Sequence, residues 1–193
     1  MSIKLTTENG QRKYLNSAER TALIRAVKQV APVNRTLCLM LVHTGCLISE
    51  AIGLRYGDID LSGQKVSIRT LRKRNKESTA TRTVPLPSHF LIDLVYAHKL
   101  GRQNTLSPDT RLWGWSRTSA FRKVKEAMKI AGIEGYHATP LGIRHGFGMY
   151  CAEKEVPLNY IRKWMGHSSL EITEMYLLNR VCDERAVAER LWH

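Results

Sequence analysis

Apolar residues recur along this chain at helical spacing almost everywhere, and at strand spacing in one stretch. Leu23, Ile24 and Val27 in ERTALIRAVKQV share one helical face. Asn16 with Glu19 forms a capping-box pattern ahead of them. Pro32 breaks that helix, and the strongly apolar Arg35–His43 (RTLCLMLVH) predicts a buried helix ended by Gly45. Ser49 stands in a good N-cap position for a short helix, SEAIGLRY, and YGDIDLSGQ is turn chemistry. Lys65–Leu71 (KVSIRTL) alternates apolar and polar, Thr81–Leu86 (TRTVPL) is a second β-like run, and RKRNKESTA lies between them. The three predict a β-hairpin with a long basic tip.

From Ser88 onward the pattern is helical again. Helices are expected over Ser88–Lys99, over Ser116–Ala131 with Gly132 at C′, and from Thr139-Pro140 to about Glu153. Another precedes Met165 after Pro157, and a further one, capped by Ser168 or Ser169, contains Tyr176. Asp183 caps a last helix. Residues 101–115 read as a loop whose Trp113 and Trp115 belong to the core. The expected fold is α+β, mostly helical, with one small antiparallel β-sheet. Its expected organisation is a flexible segment over 1–13, a domain over 14–180 and a C-terminal helix over 181–193.

Composition narrows the classes. The 193 residues are 43% hydrophobic, enough for one packed core and too short for two comfortable domains. No run of ~18 apolar residues predicts a membrane span, and the N-terminus lacks the apolar stretch of a secretory signal. The four cysteines form no CxxC pair, which points to reduced, buried thiols in a cytoplasmic protein. No metal site and no cofactor are expected.

Charge adds a partner. A formal net charge of +13 on so short a chain repels itself and attracts polyanions, with nucleic acid the leading candidate. The cations concentrate in two places. Arg69, Arg72, Lys73, Arg74, Lys76 and Arg82 stand on the hairpin against a single Glu77. Arg117, Arg122, Lys123, Lys125 and Lys129 stand on the helix after Ser116.

Four motifs then follow in order: TGCLISEAIGLRYGDID (44–60), the basic hairpin (65–86), TPLGIRHGFG (139–148) and IRKWMGHSSLEITEMY (161–176). Together they resemble the catalytic domain of the tyrosine recombinases, the phage-integrase and Xer-like family, over about residues 14–180. The last motif is the most specific, a Gly-His-Ser-Ser helix start with a tyrosine nine residues after the histidine. The resemblance implies that Tyr176 is a nucleophile able to form a 3′-phosphotyrosine on DNA without metal or ATP. It implies that Arg144 and His167 meet the phosphate, with His145 a packing or buttressing residue. It also implies a hairpin lysine, Lys73 or alternatively Lys76, as general acid. Cationic donors suit this chemistry because negative charge gathers on the non-bridging oxygens.

Two positions depart from the family pattern. The slot of the first arginine holds Leu47, and the His slot three residues before Arg144 holds Leu141, with His137 close in sequence. Arg55 falls where the family has a structural cation. With only about 15 residues ahead of the catalytic-type segment, the N-terminal domain that closes the family's clamp around DNA is not expected here. Two readings stay open: a DNA-binding regulator or accessory factor with impaired or absent strand exchange, and an active site-specific recombinase or integrase. Both imply double-stranded DNA as partner, no membrane, and a bacterial nucleoid or mobile-element setting. Both allow a homo-oligomer on DNA, up to a tetramer. Val187, Leu191 and Trp192 would then anchor the C-terminal helix on a neighbour, or hold it in cis.

Overall fold

The computed structural model describes residues 5–70, 80–101 and 106–179. Eight α-helices, two short 3-10 helices and one three-stranded sheet occur among them. The helices are α1 (Ser17–Ala26), α2 (Pro32–Thr44), α3 (Ile48–Ala51), α4 (Ser88–His98), α5 (Arg117–Ile130), α6 (Pro140–Glu153), α7 (Leu158–Met165) and α8 (Glu171–Leu178). The strands β1 (Ile59–Asp60), β2 (Lys65–Arg69) and β3 (Thr81–Pro85) pair antiparallel in chain order. The expected α+β, mostly helical class is the observed one.

Helix α2 is the centre of the larger core. Every side chain from Thr36 to Val42 is buried, because α4, α5 and α6 each pack against it. The hairpin register sets Val66 opposite Val84 and Ile68 opposite Arg82. Val66, Ile68 and Val84 are thereby buried on one face of the sheet. A smaller core gathers Leu5, Phe147, Met149, Cys151, Ile161, Met165, Met175 and Tyr176 where α6, α7 and α8 meet.

Several local expectations change. Pro32 does not merely end the preceding helix; it is the first residue of α2, where its missing N–H costs nothing. The cap of α3 is Leu47 rather than Ser49, and the Glu50 carboxylate accepts the Leu47 N–H at 2.9 Å. Neither Ser168 nor Ser169 caps α8, which begins after Leu170 in right-handed helical geometry. Residues 5–13, expected to be flexible, form a small hairpin bridged at Thr6 and Arg12, with Leu5 only 2% exposed. The Asn16–Glu19 capping box and the left-handed Gly132 stand as expected. Trp113 is buried and donates its indole N–H to the Val33 carbonyl at 3.0 Å. The last-helix expectation over 181–193 lies outside the described residues.

The strongest single tie in the fold is polar. Arg82 projects into the interior and makes two bonds to the Glu50 carboxylate, at 2.6 and 3.0 Å. It also donates to the Thr70 hydroxyl at 2.8 Å and the Trp164 carbonyl at 2.8 Å. Removing one partner of a buried pair strands the other charge. Glu50→Gln is therefore expected to destabilise the fold by about 3–5 kcal/mol in urea denaturation. The double variant Glu50→Met/Arg82→Met should recover most of that loss.

Candidate active site

Three of the sequence motifs converge on Arg144, in the second turn of α6. The residue is 9% exposed. One terminal nitrogen donates to the Gly45 carbonyl at 2.7 Å and the other to the Met165 carbonyl at 2.8 Å. Gly45 ends α2 in left-handed geometry and Met165 ends α7, so Arg144 ties the first motif to the Gly-His-Ser turn. No carboxylate lies within ion-pairing distance of Arg144 among the described residues. Burial works against its charge, yet a guanidinium stays protonated at neutral pH. This is a desolvated cation held by neutral carbonyls.

Tyr176 lies beside it, fully buried. Its hydroxyl is 3.0 Å from His145 Nδ1. The His167 ring stacks on it at 6.1 Å between centroids, with 18° between planes. The ring occupies the space left by a missing side chain: a Cβ at Gly148 would lie 2.5–2.6 Å from three of its carbons. Burial pushes the phenol above its ordinary range, opposed in part by the Arg144 charge. Burial also lowers both histidines, His145 to about 4 and His167 to about 3, with Arg144 as the next cause in each. His167 Nδ1 is held by the Thr173 hydroxyl at 2.9 Å. Two neutral imidazoles therefore flank a neutral phenol. A neutral His145 protonated at Nε2 accepts the tyrosine hydrogen bond at Nδ1.

Other expected site residues are distributed unevenly. Leu47 and Leu141 are both exposed, at 37% and 53%, and Leu47 lies two residues beyond the Gly45 carbonyl that holds Arg144. His137 bonds Glu19 at 2.9 Å and steadies α1. Arg55 pairs with Asp109 at 2.5 Å, a structural use as expected. Arg69, Arg117 and Arg122 are exposed, with Arg69 3.7 Å from Asp58. The ammonium of Lys123 sits 4.6 Å from the centre of the half-buried Trp115 ring. Arg72, Lys73, Arg74 and Lys76 lie outside the described residues.

Arg82 is a correction. It was expected among the surface cations, but it is buried with its donors committed to Glu50, Thr70 and Trp164. A period-two signal was available, since Arg82 shares its strand face with Val84 and Leu86. Glu50, Gly148 and Thr173 were missed. Glu50 had a local signal in its spacing from Leu47; the other two had none, because their contacts come from different helices.

A model of the phage integrase family matches residues 13–181, and the chain belongs to that family. The tyrosine recombinase XerD of Yersinia pestis is 26% identical over 175 residues, covering 85% of this chain. The chain spans 56% of that relative's length. The XerA recombinase of Pyrococcus furiosus is 28% identical over 171 residues, with 85% of this chain and 56% of the relative covered. Among solved structures, the catalytic domain of bacteriophage HP1 integrase superposes with a TM-score of 0.65 at 19% identity, covering 91% of this chain and 93% of its own.

Two outcomes follow from the geometry. Gly148→Ala drives a methyl into the Tyr176 ring and should cost about 1–3 kcal/mol, read from the urea midpoint. His145 and His167 titrate far below the ordinary 6.5 in the folded chain. Between those folded values and 6.5 the unfolded chain binds more protons, so stability is present above 6.5 and falls as pH drops toward 4. The urea midpoint should decline from pH 7 to 4.5, and less steeply in His145→Asn.

Proposed function

We propose that this chain is a double-stranded DNA-binding protein with impaired or absent strand exchange, acting as a regulator or accessory factor in the cytoplasm. The observation that carries the reading is the exposed Leu47 beside the Arg144 carbonyl clamp. It puts an apolar side chain where family chemistry needs a second cation on the phosphate. Losing one preorganised donor typically costs roughly 10²–10³ in rate. The withdrawn Tyr176 agrees with that reading, because a fully buried hydroxyl cannot reach a phosphorus atom from where it stands. The desolvated Arg144 and the exposed Arg69, Arg117 and Arg122 supply the attraction to a phosphate backbone. Lys73, or Lys76, completes the cationic set in this reading.

The alternative is an active recombinase forming a 3′-phosphotyrosine through Tyr176. One observation favours it: His145 Nδ1 is 3.0 Å from the hydroxyl, within hydrogen-bond reach of its proton. In that reaction Tyr176 Oη would bond to phosphorus and the 5′-oxygen would leave with a proton from the hairpin lysine. Assembly of copies on DNA, up to a tetramer, would accompany it.

A nicked suicide substrate carrying a site obtained by binding-site selection separates the two. Binding with steep salt dependence and no covalent adduct is expected. An adduct that disappears in Tyr176→Phe would overturn the non-catalytic reading. Cleavage gained in Leu47→Arg would trace the defect to the missing cation.

A further inference from the structure

The segment ahead of α1 is tied to the part of the molecule that encloses Tyr176. Residues 5–13 fold back on themselves: the Lys13 N–H donates to the Leu5 carbonyl at 2.8 Å and the Thr7 N–H to the Gln11 carbonyl at 2.7 Å. Gly10 closes the turn at a φ of +72°, in the left-handed region that favours glycine. Leu5 is the one buried residue of this hairpin. It belongs to the same apolar cluster as Phe147, Met165, Met175 and Tyr176. Residues 5–12 precede the segment that the family model matches, so the hairpin lies outside that match.

The far end of the hairpin is anchored to α1 and α6. Arg12 donates to the Glu19 carboxylate at 2.7 Å, and the same oxygen meets His137 at 2.9 Å. The Leu15 N–H donates to the Gly142 carbonyl at 3.1 Å, and a Cβ at Gly146 would lie 2.7 Å from the Leu15 carbonyl oxygen. That close approach seats the chain directly on α6. Lys13 stands near enough to His145 to oppose its protonation. One end of the hairpin is thus fixed by several polar bonds, whereas the other is held in the cluster by Leu5.

Helix α8 depends on that cluster. It has eight residues, too few for a helix to be stable alone, and it starts without a side-chain cap. It packs on α6 and α7 with Thr173, Met175 and Tyr176 buried. We propose that residues 5–13 are a strap that locks α8 and holds Tyr176 in its enclosed position, with Leu5 as the latch. Opening of the strap removes one apolar side chain from the cluster and loosens α8, which lets the tyrosine hydroxyl leave His145 for solvent. A hairpin held by a single buried side chain opens at lower free energy than the core around α2. The device operates whether or not Tyr176 attacks DNA, so it is independent of the function proposed above.

The test uses the full chain with three separate substitutions: Leu5→Ala, Gly10→Ala and the control Glu8→Gln, whose side chain is exposed on the same hairpin. Gly10→Ala is decisive. Its Cβ would meet nothing within 4 Å, so it strains the left-handed turn and leaves the cluster untouched. That strain favours strap opening by roughly five- to thirtyfold. Amide hydrogen exchange over Glu171–Leu178 should quicken by up to about that factor in Leu5→Ala and Gly10→Ala, with exchange over Pro32–Thr44 unchanged. Nitration by tetranitromethane, mapped by mass spectrometry, should rise at Tyr176 in both and stay at the wild-type level in Glu8→Gln. A response in Leu5→Ala alone would make Leu5 an ordinary packing residue and overturn the strap. No response in either variant, or an equal quickening in α2, would overturn it as well.

Discussion

The buried pair of Arg82 with Glu50 is the constraint on which the site depends. Four donated bonds hold the guanidinium of Arg82, a residue only 7% exposed. They join three segments distant in sequence: α3 through Glu50, the hairpin base through Thr70, and the end of α7 through Trp164. Desolvating two charges is expensive, and only good geometry with every remaining donor satisfied repays it. The arrangement is correspondingly exacting. Arg144 makes a parallel use of the next carbonyl, Met165, and reaches back to Gly45. Two arginines thus close the C-terminal end of α7, where helix carbonyls lack intrahelical partners. The turn that presents His167 is set by that closure.

The same closure shapes the electrostatics around Tyr176. Arg144 is a cation without a carboxylate partner among the described residues, and its field discourages protonation of His145 and His167. Burial acts in the same direction and is the larger cause. The result is one fixed positive charge surrounded by neutral rings. Such a site is predisposed toward an anion. Tyr176 fills the gap over Gly148 as a core side chain would, and its hydroxyl is satisfied internally by His145. In this arrangement the tyrosine is part of the smaller core.

Legibility in the sequence followed the range of the forces involved. The capping box at Asn16, the α2 core run, the hairpin pairing and the helix over 140–153 came from local periodicity and caps, which act within a few residues. The motif order named Arg144, His167 and Tyr176, which are neighbours in the fold. Ser49 failed as a cap because α3 begins one residue earlier, where the Glu50 carboxylate accepts the Leu47 N–H, and α8 begins after Leu170 with no side-chain cap. Arg82 was misassigned since charge runs were read by composition, although strand parity put it on the inner face with Val84.

By itself, then, the sequence determined the helical and strand periodicities, the excess of cations and the spacing of the motif residues. Each is a property of neighbours along the chain. Only the tertiary structure decided which cations face water and which are buried. It also decided that Tyr176 is enclosed by Gly148, His145 and His167, and that Arg144 is spent on two carbonyls while Leu47 stays exposed. Those outcomes depend on which helices meet, since burial and local dielectric are set by residues up to a hundred positions away.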